Sequence, residues 1–387
     1  MEYKLGEMIA CNPTVKLEKG EKYNLVDIDS IQVGTRYVKG KELQTFEGKS
    51  GCRFQNGDTV MARITPCLEN GKIAQIQCES EKGFGSTELL VFRGIKDKTD
   101  SDYVFSLMST EYIRNLSANS MSGASGRQRA DLSFIKNIKW DFPSLSAQQR
   151  IASILNNYDN LIQNYQKQIE DLQNLASELY KEWFVRFRFP GYEKASFENG
   201  IPVGWKYITL KELANVEMGQ SPESCFYNRD KVGLPFHQGV GNYGALYLKD
   251  EVYSSEGTRI AKSGSIIFSV RAPVGKINIT LNKIILGRGV AGINSKEGKN
   301  GFLLWSLKSK FSKEDLIGNG SIFASVTKVE LLKQKILIPS RDILNEYDEF
   351  ASDIEKRSRT LYLQVLNLSK QRDLLLPRLM SGKLEEK

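Results

Sequence analysis

Histidine is almost missing from this sequence: His237 is the only one. Ser-His or Cys-His catalysis would have to rest on that single imidazole, with no motif around it, and a metal site built from several histidines is excluded. His237 is read as a structural or loop residue. Cysteine is scarce and scattered. Cys11, Cys52, Cys67, Cys78 and Cys225 form no CxxC pair, so neither a zinc cage nor a dithiol redox motif is suggested, and a reducing cytoplasm suits them best. No stretch approaches the roughly 18 apolar residues of a membrane span, and the opening segment MEYKLGEMIACNPTVKLEKG has no apolar leader core. Secretion and membrane insertion are therefore not expected, and the location read from the sequence is cytoplasmic. Nucleotide chemistry lacks its loops as well. There is no GxxxxGK[ST] to cradle a triphosphate and no GxGxxG after a strand to cradle a dinucleotide. Asn12-Pro13-Thr14 comes nearest to the NPP[FY] motif of amino-methyltransferases, but it lacks the second proline and the aromatic, and reads as a loop.

What remains is ordinary in amount and basic in balance. A chain of 387 residues exceeds the usual size of one compact domain, so two cores are expected. With 40% hydrophobic and 26% charged residues it belongs with folded globular proteins rather than disordered ones. A formal charge of +8 and a pI near 9.0 favour polyanionic partners.

The chain also repeats itself about halfway along. Near each start, YKLGEMIA (Tyr3 to Ala10) echoes ITLKELAN (Ile208 to Asn215), setting Leu5 against Leu210 and Glu7 against Glu212. Further on, NGDTVMARITPCLENGKIAQI (Asn56 to Ile76) echoes SGSIIFSVRAPVGKINITL (Ser263 to Leu281). Finally DLSFIKNIKWDFPSLSAQQRIASIL resembles KVELLKQKILIPSRDILNEYDEF, aligned on Phe142-Pro143 and Ile338-Pro339. Three echoes in one order imply a duplication of the form domain, helix, domain, helix.

The helices carry the strongest periodicity. After Pro143 apolar residues recur at Leu155, Tyr158, Ile162, Tyr165, Ile169, Leu172, Ala176, Leu179 and Trp183, an alternation of three and four that specifies a coiled-coil seam of roughly 43 Å. A second seam, through Phe350, Ile354, Leu361, Val365, Leu368, Leu375 and Leu379, reads as interrupted at Ser358 and Arg372. Self-association between copies is one use of such seams. Both lie in one polypeptide, however, and that favours antiparallel pairing within the chain. The fold class expected is α+β: two mixed α/β domains, spanning 1–144 and 188–340, alternate with helices at 145–187 and 341–387. Leu155, Ile162, Ile169, Leu172 and Leu179 would pair with Ile354, Leu361, Leu368 and Leu375.

The candidate binding residues are cations at corresponding places. Arg63 in MARITPC and Arg271 in SVRAPVG read as matching points, and Lys72 and Lys276 occupy matching GKI triplets. The loops Ser120 to Asp131 and Gly318 to Glu330 correspond and supply Arg127, Gln128 and Arg129, then Lys328. Arg and Gln suit bidentate contacts with guanine and adenine edges, and cations in Gly/Ser loops suit phosphates. For Arg63 and Arg271 a packing role is equally open. Asp58 reads as a turn former, because Gly57-Asp58 faces Gly264-Ser265 in the second repeat.

These residues resemble a known family, the specificity subunits of type I restriction-modification systems. The resemblance rests on GDTVMARITPCLENGKIA, GSTELLVFR (Gly85 to Arg93), FPSLSAQQRIASIL, GIPVGWKYITLKELA and the closing QRDLLLPRLMSGKL, in family order over nearly the whole chain. The second repeat departs from RITPCLENGKI by reading VRAPVGKI, which weakens transfer of roles position by position. The resemblance implies two target recognition domains, each reading about half of a split double-stranded DNA sequence, with the helices as spacers and docking surfaces. It implies partners: two modification (methyltransferase) subunits and, for restriction, translocating nuclease subunits. No cofactor or metal would reside in this chain, and S-adenosylmethionine, ATP and Mg²⁺ would belong to those partners. Two other readings stay open. One is an enzyme whose motif is not visible; the other is a coiled-coil DNA-binding repressor or scaffold without a methyltransferase partner.

Overall fold

A computed structural model describes residues 2–48, 50–123, 128–311 and 325–382. Arg127, singled out above, lies outside the described residues. The chain is a mixed α/β molecule that divides into two compact units, Met1–Lys167 with Leu361–Lys387, and Gln168–Thr360. Two helices of 40 residues each, Leu145–Phe184 and Arg341–Met380, contribute to both units, because the unit boundary falls inside each of them.

In unit 1 the chain opens with the strand Glu2–Lys4, which pairs antiparallel with Lys139–Asp141. A single turn, Leu5–Met8, follows. It starts where it does because the Glu7 carboxylate accepts the Lys4 backbone N–H at 3.0 Å, satisfying a donor that the turn leaves open. Leu5 and Ile9 go into the core. The main sheet then runs in the order Ile9–Cys11, Leu89–Gly94, Thr59–Ala62, Ile73–Ile76 and Tyr37–Val38. Its central strands are buried along their length, the pattern of a sheet covered on both faces. One face carries the helix Ser101–Ser109, capped by Asp100, whose carboxylate accepts from the backbone of Asp102 and Tyr103. A second sheet of four strands packs nearby: Leu43–Thr45, Lys22–Val26, Lys82–Gly85 and Cys52–Gln55. The long helices enter the same core, where Ile151, Ala152 and Leu155 of the first and Leu379 and Met380 of the second join Leu5, Phe92, Tyr103 and Phe142.

Unit 2 uses the same plan. Lys206–Thr209 pairs with Lys335–Ile338, and the turn Leu210–Leu213 is capped by Glu212, which accepts the Thr209 N–H at 2.8 Å. The sheet order Ala214–Met218, Val290–Ser295, Ile266–Ser269, Ile277–Ile279 reproduces the first four strands of unit 1. The helix Asn300–Lys310 stands where Ser101–Ser109 does. The long helices contribute differently here. Tyr180, Trp183 and Phe184 meet Phe302, Trp205 and Tyr347 in one cluster of rings, and the Tyr347 hydroxyl donates to the Ala176 carbonyl at 2.9 Å.

Of the residues read as seam, Leu155, Ile162, Ile169, Ala176 and Trp183 are buried on the first helix, while Leu172 and Leu179 are half-buried. On the second, Ile354, Val365 and Leu379 are buried, and Leu361, Leu368 and Leu375 are half-buried. Two details differ from the sequence reading. Asp159 is buried where Tyr158 was assigned to the seam. Ser358 and Arg372, taken as interruptions, sit in step with Leu344, Tyr347, Ala351, Ile354 and Val365. Ser358 is fully buried, and Arg372 pairs with buried Asp159 at 2.7 Å. The three-and-four alternation is thus unbroken on the second helix, with polar residues in two of its places.

Candidate nucleic-acid interface

The two central strands lead into equivalent corners. The turns before them are alike: Asp58 N–H donates to the Gln55 carbonyl around Gly57 at φ 87°, and Ser265 N–H donates to the Lys262 carbonyl around Gly264 at φ 79°. Asp58 therefore does form a turn, but its carboxylate has a second task. It is 1% exposed and takes a two-pronged contact from Arg93, at 2.6 and 2.7 Å. The strand registers place Ser265 and Asn294 at the equivalent positions, and there Asn294 donates to the Ser265 hydroxyl at 3.0 Å. A buried ion pair in one repeat is a neutral hydrogen bond in the other.

Beyond the strands the registers correct the equivalence of Arg63 and Arg271. Ala62 opposes Leu89 as Ser269 opposes Val290, which puts Arg63 level with Val270, and Ile64 level with Arg271. A returning segment confirms the offset: Ala130 N–H reaches the Arg63 carbonyl and Val326 N–H the Val270 carbonyl, while Ile64 bridges Arg129 and Arg271 bridges Ser325. Adjacent residues of an extended chain point to opposite sides, so the two arginines do not serve as copies of each other.

Arg63 is half-buried. One Nη donates to the Ala130 carbonyl at 3.0 Å, and its Nε is buried with no partner. With Arg53, whose guanidinium also lies 5.2 Å over the Phe46 ring, it lines a recess of about 360 Å³ shared with Asn12 and Thr87. Arg129 is 45% exposed and grips Glu88 with both prongs, at 2.6 and 2.8 Å. That contact holds the Glu88 carboxyl below its ordinary range. Gln128 is fixed through its backbone, exchanging hydrogen bonds with Thr65. Lys72 is turned inward, its ammonium donating to the Ile28 carbonyl at 2.8 Å and lying 3.8 Å from Asp29. In unit 2, Arg271 and Lys276 are both exposed beside Pro273, and Lys328 is exposed in the first turn of the helix Lys328–Leu332. Gly71 and Gly275 precede the paired lysines at φ 75° and 87°, a left-handed conformation that favours glycine at both places.

Periodicity and motif reading missed Arg53, Glu88 and the Asp58–Arg93 pair. The last has a sequence signal, since both members differ together between the repeats. His237 is buried, its Nε2 2.8 Å from the Asp250 carboxylate. Burial pushes the thiols of Cys11 and Cys78 up to about 11 and that of Cys52 up to about 12, which suits packing rather than nucleophilic use. Among the described residues no group of three or more His, Cys, Asp or Glu side chains could hold a metal ion, and no helix is long and apolar enough to cross a membrane.

The family described as type I restriction modification DNA specificity domain matches residues 1–174 and 202–360, one match per repeat. The chain belongs to this family. Its relatives include the putative type I restriction enzyme MjaX specificity subunit of Methanocaldococcus jannaschii, 31% identical over 289 residues, 73% of this chain and 68% of that one. The MjaVIII specificity subunit of the same organism is 24% identical over 98% of this chain and 93% of its own length. The fold is that of the S subunit from M. genitalium, with a TM-score of 0.54 at 14% identity over 98% of this chain and 95% of that one. As a specificity subunit this chain supplies DNA target recognition and is the non-catalytic component of its system. The repressor or scaffold reading finds no support in these likenesses.

Proposed function

We propose that this specificity chain reads an asymmetric, bipartite double-stranded DNA target and directs adenine methylation and ATP-dependent cleavage by partner subunits. The observation that carries this reading is one scaffold built twice with different side chains at equivalent points: Arg129 against Ser325, Ile64 against Arg271, Asp58–Arg93 against Ser265–Asn294. Like frameworks grip duplex DNA alike, and unlike side chains read unlike bases. The recognition domains are 1–144 and 188–340. Arg53, Arg63, Arg129, Gln128, Lys72, Arg271, Lys276 and Lys328 supply their contacts to phosphates and base edges.

The segments 145–187 and 341–387 act as spacers that pair antiparallel. Supporting this, Asp159, early on the first helix, meets Arg372, late on the second, while Ala176, late on the first, meets Tyr347, early on the second. Two modification subunits dock on these helices, restriction subunits join them in the cytoplasm, and S-adenosylmethionine, ATP and Mg²⁺ are held by those partners.

Co-purification with the host's modification subunit, followed by mapping of methylated adenines with and without this chain, tests the reading. Loss of methylation at one bipartite sequence on deletion is expected. Absence of any complex, or an unchanged methylation map despite one, overturns it.

A further inference from the structure

Each repeat touches its long helix from the same edge of its sheet, at the same place on the helix, with different chemistry. In unit 1 the contact is Arg36, which precedes the edge strand Tyr37–Val38 and is 4% exposed. All five of its N–H groups are used. Nε and Nη2 donate to Gln75 at 3.1 and 2.8 Å, and Nη2 also meets Asp102 at 2.8 Å. Nη1 meets Asp159 of the first long helix at 3.3 Å and the side-chain carbonyl of Asn156. Asp159 takes a second cation, Arg372. The Phe105 ring lies 4.8 Å from the guanidinium carbon.

In unit 2 the contact is Tyr247. It pairs parallel with Ile279 as Tyr37 pairs with Gln75, which makes it the neighbour of Arg36's equivalent. Its hydroxyl, fully buried, lies 3.2 Å from the Glu355 backbone carbonyl and 3.3 Å from its carboxylate. Counting forward equally from Pro143 and Pro339 carries Asp159 onto Glu355. An arginine on an aspartate and a tyrosine on a glutamate have no chemistry in common beyond a hydrogen bond to a carboxylate. What the two repeats keep is the place of contact.

We infer that Asp159 with Arg36, and Glu355 with Tyr247, are positioning pairs that fix the seat of each recognition domain on the spacer helices and thereby set the number of base pairs tolerated between the two half-sites. This inference rests on the DNA-reading function proposed above. One base pair more or less moves a half-site by ~3.4 Å along the duplex and roughly a tenth of a turn around it. The hydrogen bonds of 3.2–3.3 Å that join each domain to its helix cannot follow such a displacement without breaking. A domain seated through them therefore rejects the wrong spacing.

The test uses the complex of this chain with its modification subunits and DNA bearing the native half-sites at the native spacing, one base pair shorter and one longer. Tyr247→Phe removes a single oxygen, and Arg36→Lys keeps the charge but loses the fork. Each variant's fold is checked by its unfolding transition. Both should raise methylation at the altered spacings, relative to the native one, by about fivefold, the weight of one net hydrogen bond, with the half-site bases unchanged. Glu355→Gln, which keeps an acceptor for Tyr247, should preserve the native preference. Folded Tyr247→Phe with wild-type spacing preference overturns the inference, as does altered base choice at unaltered spacing. A wild-type complex that methylates no bipartite sequence would instead refute the DNA-reading function itself.

Discussion

Before its central strand the first repeat buries Asp58 against Arg93, and the second buries Ser265 against Asn294. At the helices the difference recurs: Arg36, Asp102, Asp159 and Arg372 form a charged network in unit 1, whereas in unit 2 Tyr247 meets Glu355. The comparison separates what the fold demands from what it leaves free. It demands a mutually satisfied pair at each of these places, because an unpartnered buried polar group is costly. It is indifferent to whether that pair is ionic or neutral.

The largest effect should come from breaking the charged network. Asp159→Ala leaves the guanidiniums of Arg36 and Arg372 facing each other, and a loss of about 3–5 kcal/mol is expected. Denaturant unfolding of the purified chain measures it, and a loss below about 1 kcal/mol would show that water or Asp102 compensates. Next in size is a conversion of one repeat's chemistry into the other's. Asp58→Ser alone strands Arg93 and should cost about 1–3 kcal/mol. Adding Arg93→Asn, which completes the second repeat's pair, should recover most of that, and additive losses in the double-mutant cycle would contradict the equivalence.

A pH series sharpens the contrast on the unit 2 side. Burial raises the Glu355 carboxyl above its ordinary value of 4.5, against the opposing pull of Tyr247, Arg359 and Lys356. The folded chain therefore holds the proton more tightly than the unfolded one, so this group's contribution to stability falls as pH rises from about 4.5 through the raised value. Glu355→Gln should remove that fall, leaving a variant whose melting temperature gains on wild type between pH 4 and 8; a constant offset across the series would count against it. The smallest change expected in the folded chain is Arg129→Ser, which installs the second repeat's residue at an exposed position. Folding should be unchanged, and the slope of log affinity against log salt for target DNA should drop by about one. An unaltered slope would mean that Glu88 keeps Arg129 from phosphate.

Much of this molecule can be read from its residues. The three echoes fall on strands with equivalent partners in the two repeats, and Glu7 and Glu212 cap the same turn. Local signals survive because capping and alternation are decided within a few residues. The site was less legible. Arg63 and Arg271 look aligned because each lies close before a proline, and only the strand registers show the offset of one residue. Ser358 and Arg372 look like breaks in an apolar pattern, since periodicity counts hydrophobic residues and cannot register a polar residue whose partner comes from another element. Arg36 carried no signal at all, because its four polar partners lie on three other elements.

By itself, then, the sequence determined the duplication, the two long helices, the absence of the familiar catalytic motifs and the family to which the chain belongs. These follow from local propensity, spacing and residue identity. The tertiary structure alone decided which cations are free and which are committed: Arg129 to Glu88, Lys72 to Ile28, Arg36 and Arg372 to Asp159. A side chain's charge is written in the sequence, but its availability depends on what the fold brings within about 3 Å of it, and those neighbours come from distant parts of the chain.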